Sequence, residues 1–129
     1  MSRSVVVTGA TSGIGAGIAR AFAAVGDAVV ATGATDAEVE AARGTPGVEV
    51  RRLDVRDGAA VAALVVRLGE LDVVVNCAGI IRRGVEHDPV ALAETVDTNL
   101  TRTMRVCEMC RRHCAENGLG GDRVDPFVR

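Results

Sequence analysis

Short apolar runs and longer stretches with helical spacing alternate strictly along the chain. The apolar runs are rich in Val, which indicates strands buried on both faces. The stretches between them repeat apolar residues every three or four positions and therefore predict helices. The predicted strands are 5–7, 27–32, 48–55 and 71–76. The predicted helices are 14–25, 35–43, 56–69 and 89–117, the last with a break near 96–99.

This alternation predicts an α/β fold with a parallel sheet, because parallel strands are joined by right-handed crossover helices. The 129 residues are enough for one domain with a core of its own. Hydrophobic residues make up 48% and the formal net charge is −2, which argues against a general attraction to nucleic acid. The sequence shows neither a membrane-spanning run nor a signal segment, so the expected localisation is cytoplasmic, with the four Cys residues as thiols.

Three glycines, Gly9, Gly13 and Gly15, lie between the first predicted strand and the first predicted helix. In a dinucleotide site such glycines allow a tight turn, a close approach to a pyrophosphate and close packing of helix on strand. The start of the helix then offers N–H groups and a positive dipole to the phosphates. A P-loop would need a Lys, and the chain contains none. The alternative is a turn that only connects strand to helix, but the strand–turn–helix context favours the dinucleotide site.

Four short motifs follow one another along the chain: TGATSGIG at 8–15, LDV at 53–55, NCAG at 76–79 and TNL at 98–100. In this order they resemble the motifs of the short-chain dehydrogenases/reductases. The resemblance covers about residues 5–104, which correspond to roughly the first half of a family member. It implies a Rossmann-like, doubly wound parallel sheet, here incomplete, with about four strands in the order 3-2-1-4. It also implies NAD or NADP as cofactor and hydride transfer between the nicotinamide and an alcohol or ketone.

The resemblance also implies roles for individual residues. Asp54 would approach the adenine ring, and Ala78 and Gly79 would lie beside the ribose. Asn99 is the one residue of the family's active site that has a counterpart here. The loop AGIIRR at 78–83 is similar to that of family members that act on sugar acids. The residues implied to bind the cofactor are Gly9, Thr11, Ser12, Gly13, Ile14, Gly15, Asp54, Val55, Asn76, Ala78 and Gly79.

The end of the second predicted strand bears on the choice between NAD and NADP. Gly33 stands where an acid would bind the ribose of NAD, and neither Ser12 nor Ala34 is a basic residue that would meet a 2′-phosphate. Asp36 is near enough in sequence to reach the ribose, and its charge would oppose a phosphate. The sequence therefore leaves both cofactors open and slightly favours NAD.

The residues that transfer the proton in the family have no counterpart in this chain. In the family a Tyr exchanges the proton, a Lys lowers the pKa of that Tyr, and a Ser binds the reacting oxygen. This chain has no Tyr, no Lys and no Ser after Ser12. Three interpretations follow: the cofactor-binding half of an oxidoreductase, a dinucleotide-binding module without catalysis, or a defective chain that binds nothing. The chain alone is predicted to be inactive.

The sequence pattern changes after residue 106. A family member would continue with a fifth apolar strand, whereas 107–129 is polar, charged and rich in glycine. This predicts a half-domain, 1–106, and a divergent tail, 107–129. A change of reading frame that truncates the enzyme is the hypothesis, and translation of the flanking DNA would test it. The uncovered edge of the fourth strand would favour self-association.

Several chemically active side chains lie outside the motifs. Near residue 110 lie cysteine and histidine residues, which are of the types that bind metals. A zinc site cannot readily be formed from one helix, so we expect these side chains to pack in the interior. No metal is expected. His87, the nearest conceivable proton donor, and the pair Arg82 and Arg83 lie in a polar loop. The arginines are able to bind a carboxylate, although a solvated loop is the simpler interpretation. The metal-ligand types are Cys107, Cys110, His113 and Cys114.

Overall fold

The computed structural model describes residues 2–79, 83–85 and 87–116. In this part of the chain four strands alternate with helices in the predicted order. The strands are β1 (Ser4–Thr8), β2 (Ala28–Gly33), β3 (Val48–Arg52) and β4 (Val73–Asn76). The helices are α1 (Gly13–Ala24), α2 (Asp36–Ala42), α3 (Gly58–Leu68), α4 (Pro89–Val96) and α5 (Thr103–Glu116), with a π-helical segment, Asp97–Arg102, between α4 and α5.

The four strands are parallel and lie in the order β3-β2-β1-β4, which confirms the predicted topology. Val5 of β1 pairs with Val29 of β2 on one side and with Val73 of β4 on the other. β1 is therefore a central strand with a ladder on each side. This explains its continuous Val run, since a central strand covered on both faces has no position that faces water.

The core consists of two layers, one on each face of the sheet. On one face Val5 packs in a cluster with Ala19 of α1. On the other face Val6 packs with Val61 of α3 and Val106 of α5. Successive residues of a strand point to opposite faces, so neighbouring Val residues of β1 supply both layers. Burial of one such Val side chain contributes about 1.5–3 kcal/mol.

β3 is shorter than predicted and ends at Arg52. The last ladder bond follows directly, where the N–H of Leu53 donates to the carbonyl oxygen of Gly33 at 2.8 Å. The chain then turns, and the N–H of Asp57 donates to the carbonyl oxygen of Asp54 at 2.9 Å. The turn removes Asp54 from the strand and places it at the carboxyl edge of the sheet.

The last predicted helix is divided by the π-helical segment Asp97–Arg102, where the break was predicted. α5 then continues to Glu116, across the boundary proposed at residue 106. Cys107 and Cys110 are buried, with exposed fractions of 8% and 3%, so both pack in the interior. The described residues contain no group of three or more possible metal ligands. In the same part of the chain, no helix has the length and apolar character needed to cross a bilayer.

Candidate functional site

A pocket of about 270 Å³ opens at the carboxyl ends of the strands. In open α/β sheets ligands bind in this crevice, at the point where the strand order reverses. Here that point lies at β1, since β2 and β4 lie on opposite sides of it. The lining residues are Gly9, Thr11, Ser12, Gly33, Ala34, Glu38, Leu53, Asp54, Val55, Arg56, Cys77, Ala78, Gly79 and Thr98.

The three glycines of the β1–α1 turn have different surroundings. A Cβ on Gly9 would lie 2.6 Å from the Cα of Ala78, and a Cβ on Gly15 would collide with the carbonyl oxygen of Gly9. These two glycines therefore allow close packing of backbone on backbone. Gly13 has a φ of +59°, and a Cβ there would have nothing within 4 Å. The surface above Gly13 is open, which is the space that a ligand phosphate would need.

The start of α1 suits an anion. Ser12 precedes the helix with extended backbone, and its hydroxyl makes no capping hydrogen bond in the described part of the chain. The first turn contains no acidic side chain. The first N–H groups of a helix lack partners within it and carry the positive end of its dipole. The uncapped helix start and the open glycine turn together fit a pyrophosphate.

The opposite wall of the pocket is fixed by Thr8, the last residue of β1. Its Oγ1 accepts hydrogen bonds from the backbone N–H groups of Cys77 and Ala78, both at 3.3 Å. The side chain of Thr8 is almost fully buried, with 1% exposed. These bonds hold the chain after β4 against β1, so that Ala78 and Gly79 line the pocket.

Asn76, a predicted cofactor residue, does not line the pocket. It is 2% exposed, and its Nδ2 donates to the Sγ of Cys107 in α5 at 3.0 Å. Burial raises the pKa of the Cys107 thiol, while the hydrogen bond from Asn76 opposes that shift. Asn76 therefore ties β4 to α5 behind the pocket wall.

Asp54 lies in the pocket and is paired with Arg56, a partner that was not predicted from the sequence. Arg56 binds its carboxylate through Nη2 at 2.7 Å and through Nε at 3.0 Å, and the backbone N–H of Arg56 also donates to it at 2.9 Å. The hydrogen bonds from the Arg56 side chain hold the pKa of Asp54 below its usual value. Asp54 is therefore an ionised acceptor at the end of β3.

Glu38 supplies a second carboxylate to the lining. Its Oε2 accepts hydrogen bonds from the backbone N–H groups of Ala34 at 2.8 Å and Thr35 at 3.0 Å. In return, the N–H of Glu38 donates to the Oγ1 of Thr35 at 3.2 Å, which completes a capping box at the start of α2. The carboxylate thus folds back from α2 toward the end of β2.

The π-helical segment brings Thr98 into the pocket lining, next to Asn99 in sequence. Thr98 is buried and Asn99 is half-buried. Insertions of this kind in α-helices often occur at functional sites. His87 and Arg83 are exposed and do not line the pocket, and Arg82 lies outside the described residues.

The pocket brings together seven of the eleven residues implied to bind the cofactor. Of the remaining four, Gly13 and Ile14 are exposed at the helix start, whereas Gly15 and Asn76 are buried. The lining residues Glu38, Arg56 and Thr98 were not predicted from the sequence. The spacing of Thr35 and Glu38 is that of a capping box and would have indicated the position of one of them.

A family model described as short chain dehydrogenase matches residues 3–121. The chain belongs to the short-chain dehydrogenase family. A candidate ketoacyl reductase of the monensin polyketide synthase from Streptomyces virginiae is 42% identical to this family member over 116 residues, 81% of this chain and 44% of that protein. A 2-keto-3-deoxy-L-fuconate dehydrogenase from Xanthomonas campestris pv. campestris is 33% identical over 118 residues, 89% of this chain and 39% of that protein.

Solved structures of the short-chain dehydrogenase family have the same fold. The actinorhodin polyketide ketoreductase, crystallised with NADPH, superposes with a TM-score of 0.79 at 31% identity. The match covers 91% of this chain and 50% of that one. The chain thus spans about half the length of the relatives that it matches.

Proposed function

We propose that this chain is the cofactor-binding half of an NAD(P)-dependent oxidoreductase. The observation that carries the proposal is the pocket at the carboxyl ends of the strands, which combines an open glycine turn, an uncapped helix start and the carboxylate of Asp54. Membership of the short-chain dehydrogenase family supports it. The bound nicotinamide would supply the hydride, and the residues of this chain would bind and orient it.

Each part of the pocket has a distinct role in this proposal. The backbone around Gly13 and the first turn of α1 bind the pyrophosphate. Asp54 accepts a hydrogen bond from the adenine amino group, and Val55 covers the ring. Ala78, held by Thr8, and the neighbouring Gly79 lie along a ribose. Asn76 supports this wall from behind.

The substrate class that we infer is a small ketone or the corresponding alcohol. The names of two relatives refer to a ketoacyl and a keto-sugar-acid substrate, so a carbonyl group is common to both. The similarity of the loop at 78–83 to that of sugar-acid dehydrogenases favours the second class. The test is a panel of ketones and sugar acids, assayed with an active family member that carries this loop. The same panel is assayed with its variant in which the arginine corresponding to Arg83 is replaced by Ala, and the activities of the two proteins are compared.

The chain alone is expected to bind the dinucleotide without turnover. Positioned acid–base help contributes about a hundred- to ten-thousand-fold to such reactions. The 129 residues contain no Tyr and no Lys to supply it, and the amide of Asn99 does not titrate. A dinucleotide-binding module without catalysis is the alternative function, and a chain that binds nothing is the third interpretation.

Fluorescence of reduced nicotinamide tests binding directly. The chain has no Trp and no Tyr, so the protein contributes little emission. We expect saturable binding by the wild type and its loss in Gly13→Val, because the new side chain enters the open space above the turn. Gly26→Val is the matched control, since Gly26 also has a positive φ and open surroundings but lies outside the pocket. Equal affinities of wild type and Gly13→Val would refute the proposed site.

The absorbance of reduced nicotinamide during incubation with ketones and sugar acids tests catalysis. The expected result is no turnover by the purified chain. Turnover that survives purification and disappears in His87→Ala would contradict the non-catalytic interpretation and identify His87 as the proton donor.

A further inference from the structure

The ion pairs within the described helices have two kinds of spacing. In the π-helical segment the paired residues are five apart, since Nε of Arg102 binds Oδ2 of Asp97 at 2.9 Å. Elsewhere the paired residues are three or four apart, which is the spacing of neighbouring side chains on an α-helix. These other pairs are Arg43 with Glu40 at the end of α2, and both Arg111 and Arg112 with Glu108 in α5.

A spacing of five fits a π-helical backbone and does not fit an α-helix. An α-helix turns by about 100° per residue, so residues five apart point about 140° away from each other around its axis. In a π-helical turn the backbone hydrogen bonds join residues five apart, so their side chains lie on the same side. The pair of Asp97 with Arg102 therefore favours the π-helical form of this segment over the α-helical form.

The helices on the two sides of the π-helical segment are anchored differently. α5, which follows it, is fixed to the sheet by buried residues such as Val106 and by the hydrogen bond from Asn76 to Cys107. α4, which precedes it, has no buried residue, and among the described helices and strands it packs only against the π-helical segment. A change in the backbone form of the segment would therefore move α4 and leave α5 in place.

Thr98 is the residue through which the π-helical segment reaches the pocket. It lines the pocket together with Asp54 and Arg56, and it is only 6% exposed. A π-helical insertion adds one residue to an α-helix, so a return to the α-helical form would rotate the preceding part by about 100° relative to α5. Because Thr98 lies in that part, its side chain would leave the pocket lining.

The π-helical segment and the pocket wall also interact through their charges. The pKa of Asp54 is lowered first by the hydrogen bonds from Arg56 and further by the charge of Arg102. The pKa of Arg56 is raised first by its hydrogen bond to Asp54 and further by the charges of Glu94 and Asp97. The ion pair of the segment and the ion pair of the pocket wall therefore lie within one electrostatic network, to which α4 contributes Glu94.

We propose that Asp97 and Arg102 are positioning residues, whose ion pair holds the segment in its π-helical form and so keeps Thr98 in the pocket. Neither residue is among the described residues that line the pocket, so both act through Thr98. The consequence for ligand binding rests on the proposed function, because the dinucleotide would lose part of the pocket wall when the pair is broken.

NMR couplings across the backbone hydrogen bonds test the form of the segment. An N–H is coupled to the carbonyl five residues back in the π-helical form and four residues back in the α-helical form. We expect couplings over five residues within 97–102 of the wild type and couplings over four in Arg102→Gln. Arg102→Lys keeps the charge and should retain the wild-type pattern. Arg111→Gln is the matched control and should also retain it, since its pair in α5 has α-helical spacing.

Titration of NADH and NADPH, followed by nicotinamide fluorescence, tests the effect on the pocket. We expect Arg102→Gln to bind the dinucleotide that the wild type prefers severalfold more weakly than the wild type does. Arg102→Lys and Arg111→Gln should bind it as the wild type does. Asp97→Asn breaks the same pair from the other side and should reproduce both results of Arg102→Gln, so the test does not depend on the folding of one variant.

The outcomes separate this inference from the proposed function. Couplings over five residues that persist in both Arg102→Gln and Asp97→Asn would overturn the role of the pair, as would equal effects of Arg102→Gln and Arg102→Lys. Loss of these couplings with an unchanged dinucleotide affinity would overturn the role of Thr98. A wild type that binds neither dinucleotide would overturn the proposed function, while the couplings would still decide whether the pair holds the segment.

Discussion

The two ends of the pocket are built from different groups. The end that we propose for the pyrophosphate, called the phosphate end, consists of uncharged backbone, namely the packed Gly9, the open turn at Gly13 and the start of α1. The end that we propose for the adenosine, called the adenosine end, consists of charged side chains, namely Glu38 and the pair of Asp54 with Arg56. The first end is therefore defined by its shape, and the second is defined by its charges.

This difference predicts opposite sensitivities. The contacts at the phosphate end join backbone to backbone in a packed interior, where a neighbour cannot move aside, so added volume destabilises the fold. The ion pairs at the adenosine end are partly exposed, and such pairs contribute about 0–1 kcal/mol to stability. Substitutions at the packed glycines Gly9 and Gly15 should thus change folding, whereas those at the adenosine end should change mainly ligand binding and pH response.

The largest effect is expected for Gly15→Ala. The new Cβ would collide with the carbonyl oxygen of Gly9 and lie 3.0 Å from the Cα of Ala10. Because the clashing atoms are backbone, we expect the free energy of unfolding to fall by about 3 kcal/mol. Urea denaturation measures this change.

Gly17→Ala, in the same helix, is the control for this prediction. The nearest atom to a Cβ there is Nη2 of Arg20, at 3.9 Å. The substitution should therefore stabilise the helix by about 0.5–1 kcal/mol, the difference in helix propensity between Ala and Gly. If both variants changed stability in the same direction, the phosphate end would not be limited by shape.

A smaller effect is expected for Thr8→Val, which removes the acceptor that holds the loop after β4. The N–H of Ala78 loses its partner, and the free energy of unfolding should fall by about 1–2 kcal/mol. Amide hydrogen exchange of Ala78 should accelerate in Thr8→Val. Thr8→Ser keeps the hydroxyl, so it should preserve the protection even where loss of the methyl group lowers stability. Equal exchange rates in the two variants would contradict the role of Oγ1.

The same distinction explains what the sequence could predict. The strand order and the glycine turn follow from alternation, glycine spacing and motif order, which are properties of the local chain. The position of Asn76 was harder to predict from the sequence. Its spacing of two residues from Val74 nevertheless places both residues on the face that packs against α3 and α5. The motif alone suggested a contact with the cofactor, whereas the parity of the strand turns the side chain away from the pocket.

The charged end was harder to predict because it depends on three-dimensional placement. A carboxylate was sought at residue 33, where β2 ends, whereas the carboxylate that lines the pocket there belongs to Glu38, after the chain has turned into α2. β3 was extended too far because the apolar residue Leu53 was counted with Val48 and Val50, although the chain turns directly after Leu53. The pairing of Asp54 with Arg56 depends on the shape of that turn.

Arg56→Gln should have the smallest effect on stability and a clear effect on titration. Arg56 holds the pKa of Asp54 below its ordinary value of 3.8, so the pair stabilises the fold above that value and loses its effect as pH falls through the lowered pKa. Since the side chain of Arg56 is 53% exposed, we expect a loss at neutral pH of less than about 0.5 kcal/mol. Carbon NMR of the Asp54 carboxyl should show its pKa rising toward 3.8, and stability should depend less on pH in the acid range.

Arg111→Gln disrupts the similarly exposed pair with Glu108 in α5, and it should leave the Asp54 titration and dinucleotide binding unchanged. If Arg56→Gln instead destabilised the fold as much as Gly15→Ala, the two ends of the pocket would not differ in the way their construction predicts.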